Sequence, residues 1–392
     1  MSFRLSLLLA ATLAGCAAGD KPSVIDSKPG KPRVLRFIAF GDAGSGSPQQ
    51  LAIGQAMADV CQMRGCDLAV ELGDNFYDKG VESAHDPQFD TAFEIPYAPL
   101  DHQRIPIYVV LGNHDNTSLV LVEGKTMPGD GGGNARGDHE VEYARRDDRP
   151  SKMFRMPDRY YKFAAPEPGF GEEPLAEFFA LDSSPLAPYR DDPDQEHWNP
   201  EAYFIKQETW LREQLRNSRA RWQIAMAHHP YVSNGQHGNA GRYDEDIKRD
   251  KSQNSKYTPG QLWKKLLDDT VCAKNVSLYL SGHDHDLEWL KPPNGCGNTQ
   301  FVLSGAGEGG GKRRQFGRGD RNPVYWQQDQ VGGFFWIELT EDQMTIAAFT
   351  VGDNGQLLRD SKQRPTPAIE KTIDHPGFSC EQEKEVERGC RD

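Results

Sequence analysis

Five short apolar runs punctuate this chain, and each stops abruptly at Gly, Asn, His or Asp. Residues 34–40 run into Gly41-Asp42, and residues 68–72 into Gly73-Asp74-Asn75-Phe76-Tyr77. Residues 107–111 meet Gly112-Asn113-His114-Asp115, and residues 223–227 meet His228-His229-Pro230. Residues 276–280 meet Ser281-Gly282-His283-Asp284-His285. Apolar runs of this length, without polar alternation, predict strands buried on both faces. Helix-like stretches lie between them: residues 48–63, residues 207–218, and one opened by Thr258 as N-cap with Pro259 at the first helical position, ending near Asp269. Strands alternating with helices predict an α/β fold, in which ligands gather at the carboxyl ends of strands. Here every run ends in side chains able to bind a metal.

Two polar segments break this rhythm. Residues 117–151, with Gly131-Gly132-Gly133, follow the third motif, and residues 239–256 follow the fourth. Their composition predicts solvated, largely unstructured insertions at the mouth of the site. Residues 333–339 and 344–351 predict late strands that close a sheet. The chain therefore divides into a leader (1–16), a flexible tether (17–33), a catalytic domain (34–351) and a polar C-terminal extension (352–392).

Charge narrows the partners. With 58 acidic and 45 basic residues the net charge is −13, which disfavours nucleic acid, because phosphate backbones are held mainly by clustered Lys and Arg. An acidic protein that handles anionic substrates needs local positive charge, and metal ions supply it. The leader has Arg4 followed by an apolar run at 5–13, too short to span a bilayer. It ends in Leu13-Ala14-Gly15-Cys16, which resembles the lipobox of bacterial lipoproteins. That implies an exported protein anchored to a membrane through lipid on Cys16, facing the periplasm or the cell surface. An ordinary secretory signal is the alternative, and it also implies export. Ala17 in place of Asp favours outer-membrane sorting. Of seven cysteines, the six beyond Cys16 suit disulfides in an exported chain. Sequence does not choose among about 15 connectivities; proximity suggests Cys61–Cys66, Cys272–Cys296 and Cys380–Cys390. Zinc binding is the weaker reading, since no paired C-x-x-C is present.

The strand-end residues suit phosphoester hydrolysis. That reaction requires charge neutralisation on the phosphoryl oxygens and a hydroxide at ordinary pH, and two cations roughly 3.5–4 Å apart provide both. A bridging carboxylate is needed between them, and Asp74 is the best placed. Oxygen ligands mixed with imidazoles suit first-row transition metals rather than calcium. His283 and His285, at i and i+2, are expected on one face of a strand.

Taken together and in this order, Asp42, Gly73-Asp74-Asn75-Phe76-Tyr77, Gly112-Asn113-His114-Asp115, His228-His229-Pro230 and Gly282-His283-Asp284-His285 resemble the signature blocks of the purple acid phosphatases, of the small tartrate-resistant type, within the calcineurin-like metallophosphoesterases. The likeness runs from about Val34 to about Val351. It implies a four-layer sandwich of two mixed β-sheets flanked by helices, with metal ligands on loops at strand C-terminal ends. It also implies a first metal on Asp42, Asp74, Tyr77 and His285, and a second on Asp74, Asn113, His228 and His283. Tyr77 discriminates: a phenol has a pKa of about 10, so ferric iron is the expected first metal, with Fe(II), Zn or Mn as the second. The implied activity is attack of a metal-bound hydroxide on small phosphomonoesters, assisted by His114 and His237. A phosphodiesterase or nucleotide-cleaving enzyme on the same scaffold, or a surface-binding lipoprotein without activity, are the alternatives. Asp115 and Asp284 are expected to hydrogen-bond the ligand loops. His229 is open to a supporting role beside the ligands that nothing in the sequence demands, and His85 carries no expected function. Ala43, where the family often carries Trp, is a minor departure; the long insertion at 117–151 leaves the substrate range open. Oligomeric state is not legible.

Overall fold

The computed structural model describes residues 33–116, 133–169, 171–187, 196–243, 256–309 and 322–376, residues 194 and 316, and the backbone of two short strands near 120–127. The string ending at Cys16, most of the expected tether, Cys380 and Cys390 lie outside the described residues, as does the core of each polar insertion.

Two seven-stranded mixed sheets form the body. The first runs, edge to edge, β16 (Ile369–Asp374), β15 (Gln343–Val351), β14 (Gly332–Leu339), β1 (Leu35–Phe40), β2 (Leu68–Glu71), β3 (Ile107–Val109) and β6 (Phe154–Arg155). The second runs β13 (Val324–Gln328), β11 (Leu287–Leu290), β12 (Gln300–Ser304), β10 (Leu278–Ser281), β9 (Trp222–Met226), β8 (Ala176–Ala180) and β7 (Tyr161–Ala165). A small hairpin pairs β4 (Val120–Val122) with β5 (Lys125–Met127). Within the first sheet β1, β2, β3 and β6 are parallel; within the second β8, β9, β10 and β12 are. Each parallel block carries antiparallel strands at one side or both.

The predicted α/β sandwich is what forms, and the side-chain alternation explains its layers. Phe178, Ile224, Met226, Leu278 and Leu280 of the second sheet join the core shared with the first, where Phe37 meets Phe178 edge-on at 5.2 Å. Their sequence neighbours Phe179, Ala225 and Tyr279 face the other way, into a separate core under α4 (Pro200–Asn217) and α5 (Gln261–Leu267). On the first sheet the outer layer is α1 (Pro48–Arg64), α2 (Ile95–Asp101) and α3 (Asp138–Arg145), with Tyr97 against Phe40 at 5.1 Å. The central strands that carry the site are covered on both faces, which is why they read as unbroken apolar runs.

Three expectations change. The sheet does not stop at Val351: β16 pairs with β15 from Gln343↔Asp374 to Ala348↔Ile369, so part of the polar extension is a solvent-facing edge strand. Residues 133–151 are not wholly unstructured, because Val141 and Tyr143 of α3 are buried and Tyr143 stacks on Phe89 at 3.6 Å. The helix expected at Thr258 begins at Gln261, since the Thr258 hydroxyl is turned to the carbonyl of Gly241 and the side chain of Gln261 rather than to a backbone N–H. Cys61–Cys66 and Cys272–Cys296 are disulfides. Among the described residues no helix is long and apolar enough to cross a membrane.

Candidate metal centre

The carboxyl ends of β1, β2 and β3 face those of β9 and β10, and the five sequence blocks meet there. The first sheet brings Asp42, Asp74, Tyr77, Asn113 and His114; the second brings His228, His283 and His285, with His237 on the loop after β9. Nε2 of His228 lies 3.4 Å from Oδ1 of Asp74, 2.9 Å from Oδ1 of Asn113 and 3.1 Å from Nδ1 of His283. The Tyr77 hydroxyl sits 3.2 Å from Oδ2 of Asp74, 3.2 Å from Nε2 of His285 and 3.5 Å from Oδ1 of Asp42. Ligand atoms of Asp42, Asp74 and His228 all lie within 4.8 Å of one another.

Local backbone geometry sets this convergence. Asp42, Asp74 and His283 have φ of 56°, 54° and 76°, left-handed values that non-glycine residues rarely adopt and that concentrate at functional sites. Hydrogen bonds between blocks hold them there. Asp42 N–H donates to Gly73 O at 2.9 Å, His283 N–H to Oδ2 of Asp42 at 2.9 Å, and His114 N–H to Oδ1 of Asp74 at 2.9 Å. Two glycines are required by close approach: a Cβ on Gly112 would overlap the Asp74 carboxylate, and one on Gly282 would overlap that of Asp42. His283 and His285 do not share a strand face, as their spacing suggested. β10 ends at Ser281 and both sit in the turn beyond it.

Electrostatics favours a cation here. Burial and the neighbouring Asp74 push Asp42 well above the usual carboxylate range. Burial acts on Asp74 in the same sense, but His228, His114 and His285 outweigh it and hold Asp74 low. Two buried carboxylates this close do not both ionise without a compensating charge. Burial lowers His228, and burial with the surrounding imidazoles pushes His283 well down. Neutral imidazoles are the ligand-competent form. Burial, Asp74 and Asp42 push Tyr77 well above 10, so its phenol ionises only against a strong Lewis acid. This donor set, with two buried carboxylates, two buried imidazoles, and a half-buried amide oxygen, phenol and third imidazole, fits two transition-metal ions.

Further residues brace the donors. Asp115 accepts N–H groups of Asn75, Phe76 and Gly112 at 2.7–3.0 Å, tying the second block to the third. Asp284 accepts the N–H of His237 at 2.7 Å and the Ser233 hydroxyl. That hydroxyl also lies 2.9 Å from Oε1 of Glu288. One hydroxyl hydrogen cannot serve two carboxylates. Glu288, raised to about 8 by burial and by Asp284, carries the proton and donates to Ser233, which donates to Asp284. His228 Nδ1–H donates to Leu72 O at 2.9 Å, leaving Nε2 toward the donors. His229 is buried against Ser183, with Nδ1 2.8 Å from its hydroxyl, and His85 is exposed. His114 Nδ1–H donates to Asp78 O at 2.6 Å and its Nε2 stands 4.0 Å from Asp74. His237 stacks on His283, ring centroids 4.1 Å apart.

Sequence reading missed Glu308. It follows β12, accepts a hydrogen bond from Ser45, and is raised by burial with Asp74 among its neighbours; its charge also bears on Asp42 and Tyr77. The signal was there but short: only Phe301-Val302-Leu303 are apolar before Ser304 and Gly305-Ala306-Gly307-Glu308.

Comparison with known proteins places this geometry. Residues 35–287 match the calcineurin-like phosphoesterase family. Tartrate-resistant acid phosphatase type 5 of Rattus norvegicus is 28% identical over 379 residues, covering 93% of this chain and 97% of its own. The Homo sapiens enzyme of the same name is 29% identical, covering 83% of this chain and 89% of its own. Purple acid phosphatase 3 of Arabidopsis thaliana is 26% identical, covering 81% and 75%. Among solved structures the fold is similar to GAP50, the anchor in the inner membrane complex of Plasmodium (TM-score 0.62, 17% identity, 89% of this chain and 91% of that one). It is also similar to a purple acid phosphatase from yellow lupin, Lupinus luteus (TM-score 0.55, 15% identity, 88% and 55%). The chain belongs to the calcineurin-like phosphoesterase family, as a metal-dependent phosphoric ester hydrolase of the purple acid phosphatase type.

Proposed function

We propose that this is an exported phosphatase that hydrolyses small phosphomonoesters at a two-cation centre. Asp42, Asp74, Tyr77 and His285 would hold ferric iron, and Asp74, Asn113, His228 and His283 would hold Fe(II), Zn or Mn. The observation that carries this reading is the Tyr77 hydroxyl, 3.2–3.5 Å from Asp74, His285 and Asp42 within the partly buried donor cluster. When bound, the two cations would neutralise charge on the phosphoryl oxygens and lower the pKa of water toward about 7.

The protein's own groups do the rest. Asp42 and Asp74 carry the compensating negative charge, and the brace through Asp115 keeps Asn113 and His114 in register with Asp74. A carbonyl cannot donate, so the bond to Asp78 O fixes the proton of His114 on Nδ1. With a second proton, on Nε2, His114 can donate to a phosphoryl or leaving-group oxygen. His237 stands on the opposite side, over the His283 ring, and is the second group suited to that proton work. The leader ending in Cys16 and the two disulfides support export, because disulfides persist in oxidising compartments. Lipid anchoring rests on the Cys16 string alone.

The test is the visible spectrum and metal content of the purified chain and of Tyr77→Phe. A purple, iron-containing protein whose colour is lost in the variant is expected. A colourless, fully active, iron-free wild type would overturn the assignment at Tyr77. Relative kcat/KM on mono- and diester chromogenic substrates separates the phosphatase from the phosphodiesterase reading, and a preference for diesters would reverse it. A metal-loaded sample inert on every phosphoester would favour the surface-binding alternative.

A further inference from the structure

Residues 233–239, Ser-Asn-Gly-Gln-His-Gly-Asn, carry His237 to the imidazole side of the centre. Such a composition, with Gly238 at φ 79°, sets no position by itself. Besides Asp284, which accepts the N–H of His237, two residues outside the donor set fasten the segment. Glu288, fully buried on β11, lies 2.9 Å from the Ser233 hydroxyl and accepts the Asn234 N–H at 2.9 Å. Asn322, just before β13, directs both its side chain and its backbone at the loop. Its Nδ2 donates to Ser233 O and to Oδ1 of Asn239, each at 2.9 Å, and its N–H donates to Oδ1 of Asn234 at 2.6 Å. Its carbonyl accepts from Nδ2 of Asn234 at 3.0 Å. Asn234 Nδ2 is also tied to Gln327 of β13 at 2.8 Å, and Ser233 N–H to Oδ1 of Asn239 at 2.9 Å. The network closes on itself. Toward the site it runs from Ser233 to Asp284, and from Asp284 to the N–H groups of His237 and Gly238.

We propose that Glu288 and Asn322 are positioning residues for His237, fastening its loop so that the imidazole stands over the centre. This rests on the reading of His237 as a proton-handling group. A satisfied, partly buried network of this kind holds one geometry, and an offset of about 1 Å in a reacting group is enough to cost on the order of 10²-fold in rate.

The experiment uses the full chain, with metal content checked to match wild type in every variant. It compares His237→Ala, Asn322→Ala, Glu288→Ala, Glu288→Gln and the double variant His237→Ala/Asn322→Ala, on an alkyl phosphate and on 4-nitrophenyl phosphate. His237→Ala is expected to lower kcat by about 10² on the alkyl ester, where the leaving group needs a proton, and by less on the nitrophenyl ester. Asn322→Ala and Glu288→Ala should follow the same substrate pattern with a loss of about tenfold, KM within about twofold. Glu288→Gln, which can still accept from Asn234 and donate to Ser233, should restore most of the rate. The double variant should be no slower than His237→Ala alone. Full kcat in both Asn322→Ala and Glu288→Ala beside a crippled His237→Ala would overturn the positioning role and leave His237 standing. Losses that multiply in the double variant would overturn it too, since the network would then act by another route. A His237→Ala variant with wild-type kcat would remove the His237 reading and this inference with it.

Discussion

The two sheets make unlike contributions to one centre. The first supplies oxygen: the carboxylates of Asp42 and Asp74, the phenol of Tyr77 and the amide of Asn113. The second supplies nitrogen: the imidazoles of His228, His283 and His285. Their bracing differs as well. The oxygen side is held by one carboxylate, Asp115, that collects three backbone N–H groups. The imidazole side relies on a relay of side chains from Glu288 through Ser233 to Asp284. The lesson is that charge and softness are segregated by sheet, and Asp74 is where the halves meet, 3.4 Å from His228 and 3.2 Å from Tyr77. A mixed ligand field of this kind selects transition metals over calcium or magnesium.

The comparison breaks most severely where the halves are in contact. Gly112→Ala forces a methyl group onto Asp74, and Gly282→Ala forces one onto Asp42. Each is expected to cost at least ~10³ in kcat and most of the bound metal, because the carboxylates must move from their ligand positions. Metal analysis with single-turnover kinetics checks this, and retention of full metal in either variant would count against the close-approach argument.

A smaller effect compares the two proton-handling histidines, one from each half. His114→Ala and His237→Ala are each expected to lower kcat on an alkyl phosphate by about 10². His114 also donates its backbone N–H to Asp74, a bond that Ala keeps. Its variant should therefore hold wild-type metal content, and metal loss in it would mean the ring does more than move protons.

The mildest effect is on stability and falls on the imidazole side. Glu288 is raised to about 8, whereas an unfolded Glu titrates near 4.3. The folded state binds this proton more tightly. The contribution is complete below pH ~4.3 and is lost as pH rises toward 8. Asp42 and Glu71, also raised by burial, act in the same sense; Asp74 opposes them only below its ordinary range, and His228, His229 and His283, lowered by burial, oppose them below about 6.5. The Tm of metal-free protein should therefore fall most clearly between pH ~6.5 and pH ~8, and Glu288→Gln should flatten part of that slope. An identical slope in the variant would show that Glu288 is not the group responsible.

Much of this was legible in the sequence, for a physical reason. Strands covered on both faces must be continuously apolar, so their ends stand out, and the donors sit at those ends. The runs before Asp42, Asp74, Asn113, His228 and His283 became β1, β2, β3, β9 and β10 within one or two residues. What stayed hidden lacks that contrast. Strand β16 is exposed at an edge and reads as polar. α3 buries only a few side chains within a charged segment. Glu288 and Asn322 act through hydrogen bonds to a loop about 50 and 90 residues away in sequence, and no local pattern encodes such a partner. The turn placement of His283 was missed because an i, i+2 spacing means one face only while the strand continues, and β10 had already ended at Ser281.

The central claim is that one carboxylate, Asp74, joins the oxygen half to the imidazole half across two cations. Metal content per chain in wild type and in Asp74→Asn tests it most directly. The account predicts about two equivalents in the wild type and loss of both in the variant. One full equivalent retained by Asp74→Asn, at either half, would contradict it.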